Sequence, residues 1–488
     1  MAKKRAAPPA PEDSLQRYRA LLGEGEFTRL LAALAVPLPQ ALRANPLKVN
    51  PAAAIRAWQA RYGWQTQPVP FCSTGWQVLE AQTTPSATIE FRLGQYYIQD
   101  AASMLPAELF DFAGLDAPLI LDMAAAPGGK TTHLISRAGD RGLTLANDSA
   151  PGRIAALRGV LRDWGAVNAA VTAYPGERLG GWFPETFDRV LLDAPCSMDH
   201  LRPGAGGARR PASLREREGL AARQARLLAS ALQAVKTGGQ VVYSTCTLAP
   251  EEDEGVLDVL LRRFGSALRI DDLSAHFGRS ANALAADAGR SFHPEVVNAM
   301  RLWPHTFGTS GFFAALLTKT APLDLPRQDA PSRPVERLGW ARLDRRAAAE
   351  LEQFFAGEYG FDLPGVLARQ SLALWQRGES VYAFPEAFFS AFGGLPVEGL
   401  GLLLGEKHPA GFQVAHEWTA RFSSMFQSGT FSLPEEHTAA WLRGEDVPYT
   451  ASPGGPAVVL VCDHDERFVG RGKVGAQRLK NLLPRRLV

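Results

Sequence analysis

The sequence has few cysteines, with only Cys72, Cys196, Cys246 and Cys462 in 488 residues. No CxxC pair and no Cys/His spacing of a zinc site occurs, so we expect no bound metal. Such sparse use of cysteine suits a reducing compartment. The sequence also lacks a signal-peptide core and any uninterrupted run of about 18 apolar residues. These absences predict a cytoplasmic protein that does not enter membranes.

The chain also lacks an excess of charge of one sign. Lysine and arginine number 52 against 50 aspartate and glutamate residues, which leaves a formal net charge of +2. Any surface that binds nucleic acid must therefore be local. Hydrophobic residues make up 46% of the chain and charged residues 21%, which is typical of a globular protein. At this length we expect about two to four domains.

Two of the four cysteines follow predicted strands. Val190–Leu192 is a short apolar run, typical of a buried parallel strand, and Asp193 and Cys196 come after it. A similar run at Val241–Ser244 is followed by Cys246. In open α/β sheets, ligands bind outside the carboxyl ends of the strands. We therefore expect Asp193, Cys196 and Cys246 to border one cleft.

Strands and helices alternate through residues 106–319. The predicted strands are Leu119–Met123, Leu143–Ala146, Val190–Leu192, Val241–Ser244 and Gly311–Lys319, and the predicted helices are Thr131–Ala138, Gly152–Trp164 and Leu214–Val235. Such alternation is typical of an α/β fold with a doubly wound, mainly parallel sheet. We expect residues 106–319 to form that domain.

Composition divides the rest of the chain into further segments. Residues 1–13 are a basic tail rich in proline and alanine that we expect to be disordered, and residues 14–105 form a small mixed domain. Residues 320–337 hold four prolines among polar residues, which is typical of a linker. An intermediate segment, residues 338–395, and a last domain, residues 396–488, follow.

The last third of the chain has a different pattern. Helices are predicted at Ala347–Phe355 and Leu363–Trp375, and short strands with Gly/Pro turns come after them. From Arg467 to the end, the chain has seven basic side chains and no acidic one. This basic run, Arg467–Arg486, is either a solvated tail or a nucleic-acid surface, and the residues alone leave both possibilities open.

The Gly-rich segment Ala124–Lys130 lies between a strand and a helix, and Asp148 closes the next strand. This layout favours a nucleotide-type cofactor, with a negative group at the helix N-terminus and ribose hydroxyls at Asp148. The alternative is the phosphate loop of an ATP-binding protein, since Gly129-Lys130-Thr131 matches the end of that motif. Against this alternative, Ala124 replaces the leading glycine and Pro127 removes a backbone donor.

Two cysteines and an acid at one cleft suit methyl transfer to a pyrimidine. A thiolate can add to C6 and make C5 nucleophilic towards a methyl sulfonium. A second polar group then helps to remove the C5 proton so that the cysteine can leave, and an acid can hydrogen-bond the ring. The alternative is that both cysteines are inert packing residues. Position alone does not say which cysteine would attack.

The motifs around these residues resemble the Sun family of RNA cytosine-C5 methyltransferases. The matching segments are Asp122–Thr131, Asp193–Cys196, Gln224–Leu228, Ser244–Leu248 and Gly311–Ala314. Arg43–Lys48, Val69–Gly75 and Tyr96–Ser103 resemble the N-terminal RNA-binding extension of the family. The long C-terminal part is similar to the bacterial RsmF type, which modifies 16S ribosomal RNA.

The resemblance implies an α/β fold with a Rossmann-like methyltransferase core and a small α+β N-terminal domain. It further implies a C-terminal α+β extension that ends in a PUA-like RNA-binding module. The implied methyl donor is S-adenosyl-L-methionine. The implied partner is ribosomal RNA or the small ribosomal subunit, with no DNA or membrane partner, and the protein is expected to be a monomer.

Roles for individual residues also follow from the resemblance. Cys246 resembles the nucleophile of the family, Cys196 the cysteine needed for product release, and Asp193 the acid that contacts base and donor. The implied donor-binding residues are Ala124, Ala125, Ala126, Pro127, Gly128, Gly129, Lys130, Asp148, Arg153, Gly176 and Asp193. No metal site is implied.

Two positions depart from the family pattern. Pro175-Gly176 stands where the family often has Asp-Gly, which removes an acid near the adenine, and Met198 stands where a glycine often follows Pro-Cys-Ser. A catalytically inactive RNA-binding assembly factor is therefore a further alternative. The segment Arg202–Arg226 carries seven arginines against two glutamates. Beside an RNA-type active site, we expect phosphate contact from it rather than a solvated helix face.

Overall fold

The computed structural model describes residues 11–198, 212–274, 281–409, 411–450 and 455–487. The predicted disordered tail, residues 1–13, lies outside these ranges except for its last three residues, which begin the first helix. No helix in the described ranges combines the length and hydropathy needed to cross a lipid bilayer.

The N-terminal region is a small antiparallel sheet with flanking helices. Its elements are α1 (Pro11–Ala35), β1 (Gln40–Ala44), α2 (Pro51–Tyr62), β2 (Gln65–Val69), β3 (Cys72–Glu80), α3 (Ile89–Arg92) and β4 (Tyr96–Ile98). The strand order is β2-β3-β1-β4. Helix α2 begins where the Asn50 side chain accepts from the Ala53 N–H, and it ends at Gly63 in the left-handed conformation. Its buried Trp58 packs against Tyr96, with ring centroids 4.8 Å apart.

The central region alternates strands and helices, as predicted. Its elements are α4 (Leu105–Glu108), β5 (Leu119–Asp122), α5 (Gly129–Arg137), β6 (Leu143–Asn147), α6 (Pro151–Trp164), β7 (Ala169–Thr172), α7 (Gly176–Trp182), β8 (Phe187–Asp193), α8 (Leu214–Ala234), β9 (Val235–Thr245), α9 (Glu254–Phe264), β10 (Leu268–Ile270), β11 (Ala286–Asp287), β12 (Arg290–Ser291), β13 (Met300–Leu302), α10 (Pro304–Phe307) and β14 (Phe312–Lys319). The predicted strands and helices of this region are all present.

The central sheet has the order β10-β14-β9-β8-β5-β6-β7-β18, where β18 (Gly399–Leu400) comes from the C-terminal region. Strands β9, β8, β5, β6 and β7 are parallel, and β14 joins β9 antiparallel. Side chains alternate along β8, so that Val190 and Leu192 pack with Leu228 of α8, whereas Leu191 packs with Leu134 of α5. Helices on both faces make the sheet doubly wound, which confirms the predicted fold class.

The C-terminal region contains two further sheets. Its elements are β15 (Ala341–Arg342), α11 (Arg345–Tyr359), α12 (Leu363–Arg369), β16 (Leu372–Arg377), β17 (Ser380–Pro385), α13 (Ala387–Phe392), β18, β19 (Leu402–His408), β20 (Gly411–Val414), α14 (His416–Phe422), β21 (Thr430–Ser432), α15 (Glu435–Leu442), β22 (Val447–Pro448), β23 (Val458–Cys462), β24 (Phe468–Val474) and β25 (Arg478–Asn481). The sheet orders are β15-β16-β17-β19-β20 and β21-β23-β24-β25-β22. The domain boundary expected between residues 395 and 396 therefore falls within the first of these sheets.

The prediction of one helix over Leu363–Trp375 was wrong. Helix α12 ends at Arg369, Ser371 turns the chain with a φ of 53°, and β16 follows. Strand β16 pairs along its length with β17, and Ala373, Leu374 and Trp375 are buried. Leucine and alanine favour helices, but burial of this segment in a sheet outweighs that local preference.

The predicted linker, residues 320–337, runs along the central domain. The Gln328 N–H donates to the Gly181 carbonyl at 2.9 Å, and the Gln233 side chain donates to the Pro326 carbonyl at 2.9 Å. Further on, the Arg333 N–H donates to the Gly394 carbonyl at 2.8 Å. These bonds attach the segment to both of the regions that it connects.

Candidate active site

Cys196 and Cys246 meet at the carboxyl edge of the central sheet. Strands β8 and β9 are parallel, and their register pairs Asp193 with Ser244, so the loops that leave the two strands lie side by side. The two sulfur atoms are 2.9 Å apart, and both cysteines are free thiols. The structure thus brings together the two cysteines that the sequence placed at one cleft.

The two thiols have opposite tendencies to ionise. The hydrogen bond from the Cys196 thiol lowers the pKa of Cys246, and the nearby Lys130 ammonium acts in the same direction against burial. The same hydrogen bond, together with burial, raises the pKa of Cys196 well above its ordinary value. Of the two thiols, Cys246 therefore ionises more readily than Cys196.

Lys130 and Asp193 form an ion pair beside the cysteines. Lys130 Nζ lies 2.8 Å from Asp193 Oδ2, and the Ser244 hydroxyl donates to Asp193 Oδ1 at 2.8 Å. Burial favours the neutral amine, but the Asp193 carboxylate outweighs it and raises the pKa of Lys130. A fixed carboxylate and a fixed cation therefore lie beside the Cys246 sulfur.

Buried polar side chains hold the loop that carries Cys196. The Gln224 amide of α8 donates to the Pro195 carbonyl at 2.9 Å and to Glu252 Oε2 at 3.0 Å. The same Glu252 oxygen accepts from the Ser197 N–H at 2.9 Å. Met198, which replaces a common glycine, has a φ of 51°. This is the left-handed region in which glycine is most at ease, which explains why a glycine suits that position.

The Gly-rich segment Ala124–Lys130 borders a cavity of about 230 Å³. The cavity is lined by Tyr97, Ile98, Gln99, Ser103, Ala124, Ala125, Ala126, Pro127, Gly129, Lys130 and Asp193. A Cβ atom on Gly129 would lie 2.8 Å from the Tyr97 ring, so only glycine leaves room here. Helix α5 begins at Gly129 without a side-chain cap, which leaves its first N–H groups available to a negative group of a ligand.

Asp122 lies buried beneath this segment. The Thr131 hydroxyl donates to Asp122 Oδ2 at 2.6 Å. Burial, reinforced by the Asp193 carboxylate, raises the pKa of Asp122 to about 7. In the sequence, Asp122 is marked only as the first residue of a matching motif, and no local pattern predicts this environment.

Asp148 and Arg153 stabilise the Gly-rich segment from the other side. Asp148 accepts from the Ala126 N–H at 3.1 Å and from the Ala150 N–H at 2.9 Å. Arg153 lies 3.3 Å from Asp148 and donates to the Ala126 carbonyl. Neither side chain lines the 230 Å³ cavity itself. Their part in binding a ligand stays a prediction.

Gly176 does not line the cavity. It is the first residue of α7, and a Cβ atom there would come within 2.8 Å of Leu227. Its carbonyl accepts from the Ser230 hydroxyl at 2.8 Å. The structure therefore explains a glycine at this position by the close packing of α7 on α8, and its contact with a cofactor stays a prediction.

The N-terminal domain contributes side chains that the sequence analysis did not assign to the cofactor site. Arg43 is buried and donates to the Gly129 carbonyl at 3.0 Å and to Thr132 at 2.7 Å. Tyr97 and Gln99 reach the cavity from the end of β4. In the sequence, these side chains lie in the matching motifs Arg43–Lys48 and Tyr96–Ser103. The resemblance assigns both motifs to RNA binding.

A buried polar cluster lies behind α5. Cys72, Glu108 and His133 place one potential metal-binding atom each within 4.8 Å of the others. His133 already hydrogen-bonds Glu108 at 2.9 Å. Burial and the Arg43 guanidinium lower the pKa of His133 to about 4, and burial raises the pKa of Cys72 to about 11. The His133–Glu108 hydrogen bond and the neighbouring Arg43 cation make this cluster a polar contact between the N-terminal and central domains.

Much of the basic run Arg467–Arg486 is used inside the protein. Arg467 lies 2.8 Å from the buried Glu90 of the N-terminal domain, and Arg486 lies 2.8 Å from Glu417. Arg471 is buried. The segment Arg202–Arg226 is only partly described, because residues 199–211 lie outside the described ranges.

Two family models match most of the chain. One, described as "16S rRNA methyltransferase RsmB/F", matches residues 112–318, and one described as "N-terminal domain of 16S rRNA methyltransferase RsmF" matches residues 10–101. Both descriptions favour methyl transfer over the ATP-binding alternative.

Curated relatives match the chain over nearly its whole length. "Ribosomal RNA small subunit methyltransferase F" of Citrobacter koseri is 33% identical over 97% of this chain and 95% of its own. The protein of the same description from Vibrio vulnificus is 30% identical, covering 98% and 97%.

Two solved structures are similar to a part of this chain. A methyltransferase homolog protein from Pyrococcus horikoshii has a TM-score of 0.55 and 30% identity over 64% of this chain and 100% of its own. NSun6 from Pyrococcus horikoshii, at 22% identity, has a TM-score of 0.52 over 64% of this chain and 98% of its own, which supports the fold.

Proposed function

The chain belongs to the RsmB/F family of 16S ribosomal RNA methyltransferases, and from that premise we propose that it methylates C5 of a cytosine through a covalent bond between Cys246 and C6. Methyl transfer to ribosomal RNA from S-adenosyl-L-methionine follows from the family itself. The proposal adds the base, the carbon atom and the covalent step. The observation that carries it is the 2.9 Å separation of the Cys196 and Cys246 sulfur atoms beside the Lys130–Asp193 pair.

Cys246 begins the reaction as the nucleophile. Its lowered pKa favours the thiolate, which adds to C6 of a cytosine that has left its stack. Asp193 can hydrogen-bond the ring as charge develops, and Lys130 holds Asp193 in place. When bound, S-adenosyl-L-methionine supplies the methyl group that C5 accepts.

Cys196 then helps to release the product. Its pKa is raised chiefly by the hydrogen bond that its thiol donates to Cys246. Once the Cys246 sulfur is bonded to C6, that partner is no longer an anion, and Cys196 can lose its proton more readily. After that proton passes to solvent, the Cys196 thiolate takes the C5 proton and the electron pair of the C5–H bond restores the C5–C6 double bond. The C6–sulfur bond breaks, and its electron pair returns to Cys246 as a thiolate.

The predicted donor site is the cavity beside Ala124–Lys130. The uncapped start of α5 suits the methionine carboxylate, and Asp148 keeps lone pairs for the ribose hydroxyls. We retain Arg153 and Gly176 as predicted members of this site. Pro175 offers no acid there, so adenine would be held by other groups.

We also propose that RNA contacts the N-terminal domain and a PUA-like C-terminal module. Lys473 and Lys480 support this idea, since they are exposed and directly opposite each other on β24 and β25. Like charges in that position repel, and neither lysine forms an ion pair within the described ranges. A phosphate group would relieve the repulsion.

Bisulfite sequencing of 16S ribosomal RNA tests this function. A deletion strain should lose at least one protected cytosine, which plasmid-borne wild-type protein should restore. Protein with Cys246→Ala should not restore it. If every cytosine is unchanged in the deletion strain, the inactive assembly factor becomes the better account.

A further inference from the structure

We propose that Gln99 of the N-terminal domain binds the amino-acid end of S-adenosyl-L-methionine, with its amide N–H donating to the methionine carboxylate and its amide oxygen accepting from the ammonium group. This inference rests on the donor site proposed above. It assigns to the N-terminal domain a direct part in binding the methyl donor, in addition to any contact with RNA.

The first observation is that the Gln99 amide lacks partners. Both its nitrogen and its oxygen are buried, and neither has a hydrogen-bond partner in the part of the chain that the structure describes. Its backbone is held in place, because the Gln99 N–H donates to the Ala41 carbonyl at 3.1 Å. Burying an amide without partners is unfavourable, so a side chain kept this way is expected to meet a ligand.

The second observation is where this amide lies. Gln99 lines the 230 Å³ cavity together with Ala124–Pro127 and Lys130. A Cβ atom on Gly129 would come within 3.2 Å of Gln99 Oε1, so the amide lies against the first residue of α5. The start of α5 has no side-chain cap, and its free N–H groups favour a carboxylate there.

The chemistry of the ligand follows from these groups. The amino-acid end of the donor offers a carboxylate and an ammonium group on one carbon atom, and an amide offers one donor and one acceptor end. The other charged groups of the cavity, Lys130 and Asp193, already pair with each other at 2.8 Å. A cytosine edge could also match an amide, but Cys196 and Cys246, which would flank that base, do not line this cavity.

The test compares two ligands by titration calorimetry. S-adenosylhomocysteine contains the amino-acid end, whereas 5′-methylthioadenosine shares the nucleoside but lacks that end. Gln99→Leu should weaken binding of S-adenosylhomocysteine about 10- to 100-fold, since two hydrogen bonds to charged groups are lost. It should leave the affinity for 5′-methylthioadenosine unchanged. Gln95→Leu is the matched control, because Gln95 precedes the same strand and does not line the cavity.

Gln99→Leu should also melt at the same temperature as the wild type or higher without ligand, because it removes an unpaired buried amide. If this variant does not fold, Gln99→Met serves in the same comparison. Equal losses for both ligands, or no loss for either, would overturn the inference. So would an unchanged affinity for S-adenosylhomocysteine with a raised KM for RNA, which would assign Gln99 to the base. None of these outcomes touches the covalent step at Cys246, which trapping of RNA tests separately.

Discussion

Lys130 Nζ lies 2.8 Å from Asp193 Oδ2, at the point where the Gly-rich segment meets the end of strand β8. The other oxygen of Asp193 accepts from Ser244, so both oxygens of the carboxylate are fixed. Lys130 is therefore held by Asp193 rather than extended towards a phosphate. The pair lies beside Cys246, on the side of the cleft where the proposed reaction places the base.

Removing the charge of Asp193 should slow methyl transfer. Asp193→Asn keeps the shape of the side chain but loses the anion, and we expect a fall of about 100- to 1,000-fold in the single-turnover rate. Asp188→Asn is the control, because Asp188 lies on the same strand at its opposite end, where it pairs with Lys236. Equal rates for the two variants would remove Asp193 from the reaction.

The pH dependence of alkylation should reveal the altered thiol of Cys246. Its pKa is lowered, so its reaction with iodoacetamide should reach half the maximal rate at a lower pH than that of an ordinary cysteine. Cys196→Ala removes the hydrogen bond that is the main cause of the lowered pKa of Cys246, so the midpoint of alkylation should move to higher pH. Mass spectrometry of the peptide that contains Cys246 measures the alkylation rate of this cysteine separately from the others. Cys462→Ala is the control. The same midpoint in all three proteins would contradict the assigned cause.

Asp122 should make stability depend on pH. Its pKa of about 7 in the folded protein lies above the ordinary value of about 3.9, so the folded state binds the proton more tightly. Stability should therefore fall as the pH rises from 5 to 8. Asp122→Asn removes this effect. The melting temperature of the variant minus that of the wild type should therefore increase as the pH rises from 5 to 8. The exposed Asp116→Asn, which removes the same charge, should show no such trend.

The predictable part of the site came from motifs within one domain. The strand ends carrying Asp193, Cys196 and Cys246 could be read from short apolar runs, because a buried parallel strand has a local signature. The roles of Gln99 and Arg467 depend on contacts between distant segments. Arg467 meets Glu90 across 377 residues of sequence, and no local pattern encodes such a contact.

The basic run should divide into structural and RNA-binding residues. Arg467→Ala removes one of the two arginines that pair with the buried Glu90, and the other, Arg61, stays at 2.8 Å. This loss should lower the free energy of unfolding by about 1–3 kcal/mol. Lys473→Ala with Lys480→Ala should change stability by less than about 0.5 kcal/mol each and instead flatten the salt dependence of RNA binding. Thermal melts and binding titrations at several salt concentrations measure both. If RNA affinity depends on salt concentration in the same way in the variant and the wild type, the two lysines are solvated and do not contact RNA.

The two cysteines have separate roles in the proposed reaction, and a denaturing gel with labelled methyl donor and substrate RNA tests those roles most directly. Cys196→Ala leaves attack and methyl transfer possible but slows elimination, so it should accumulate a protein–RNA adduct that carries the label. Cys246→Ala should form no adduct and transfer no methyl group, and the double variant should behave like Cys246→Ala because the residues act as a unit. Thermal melts confirm first that each variant is folded. An adduct with Cys246→Ala and none with Cys196→Ala would reverse the roles, and two active variants without any adduct would contradict covalent catalysis by this pair.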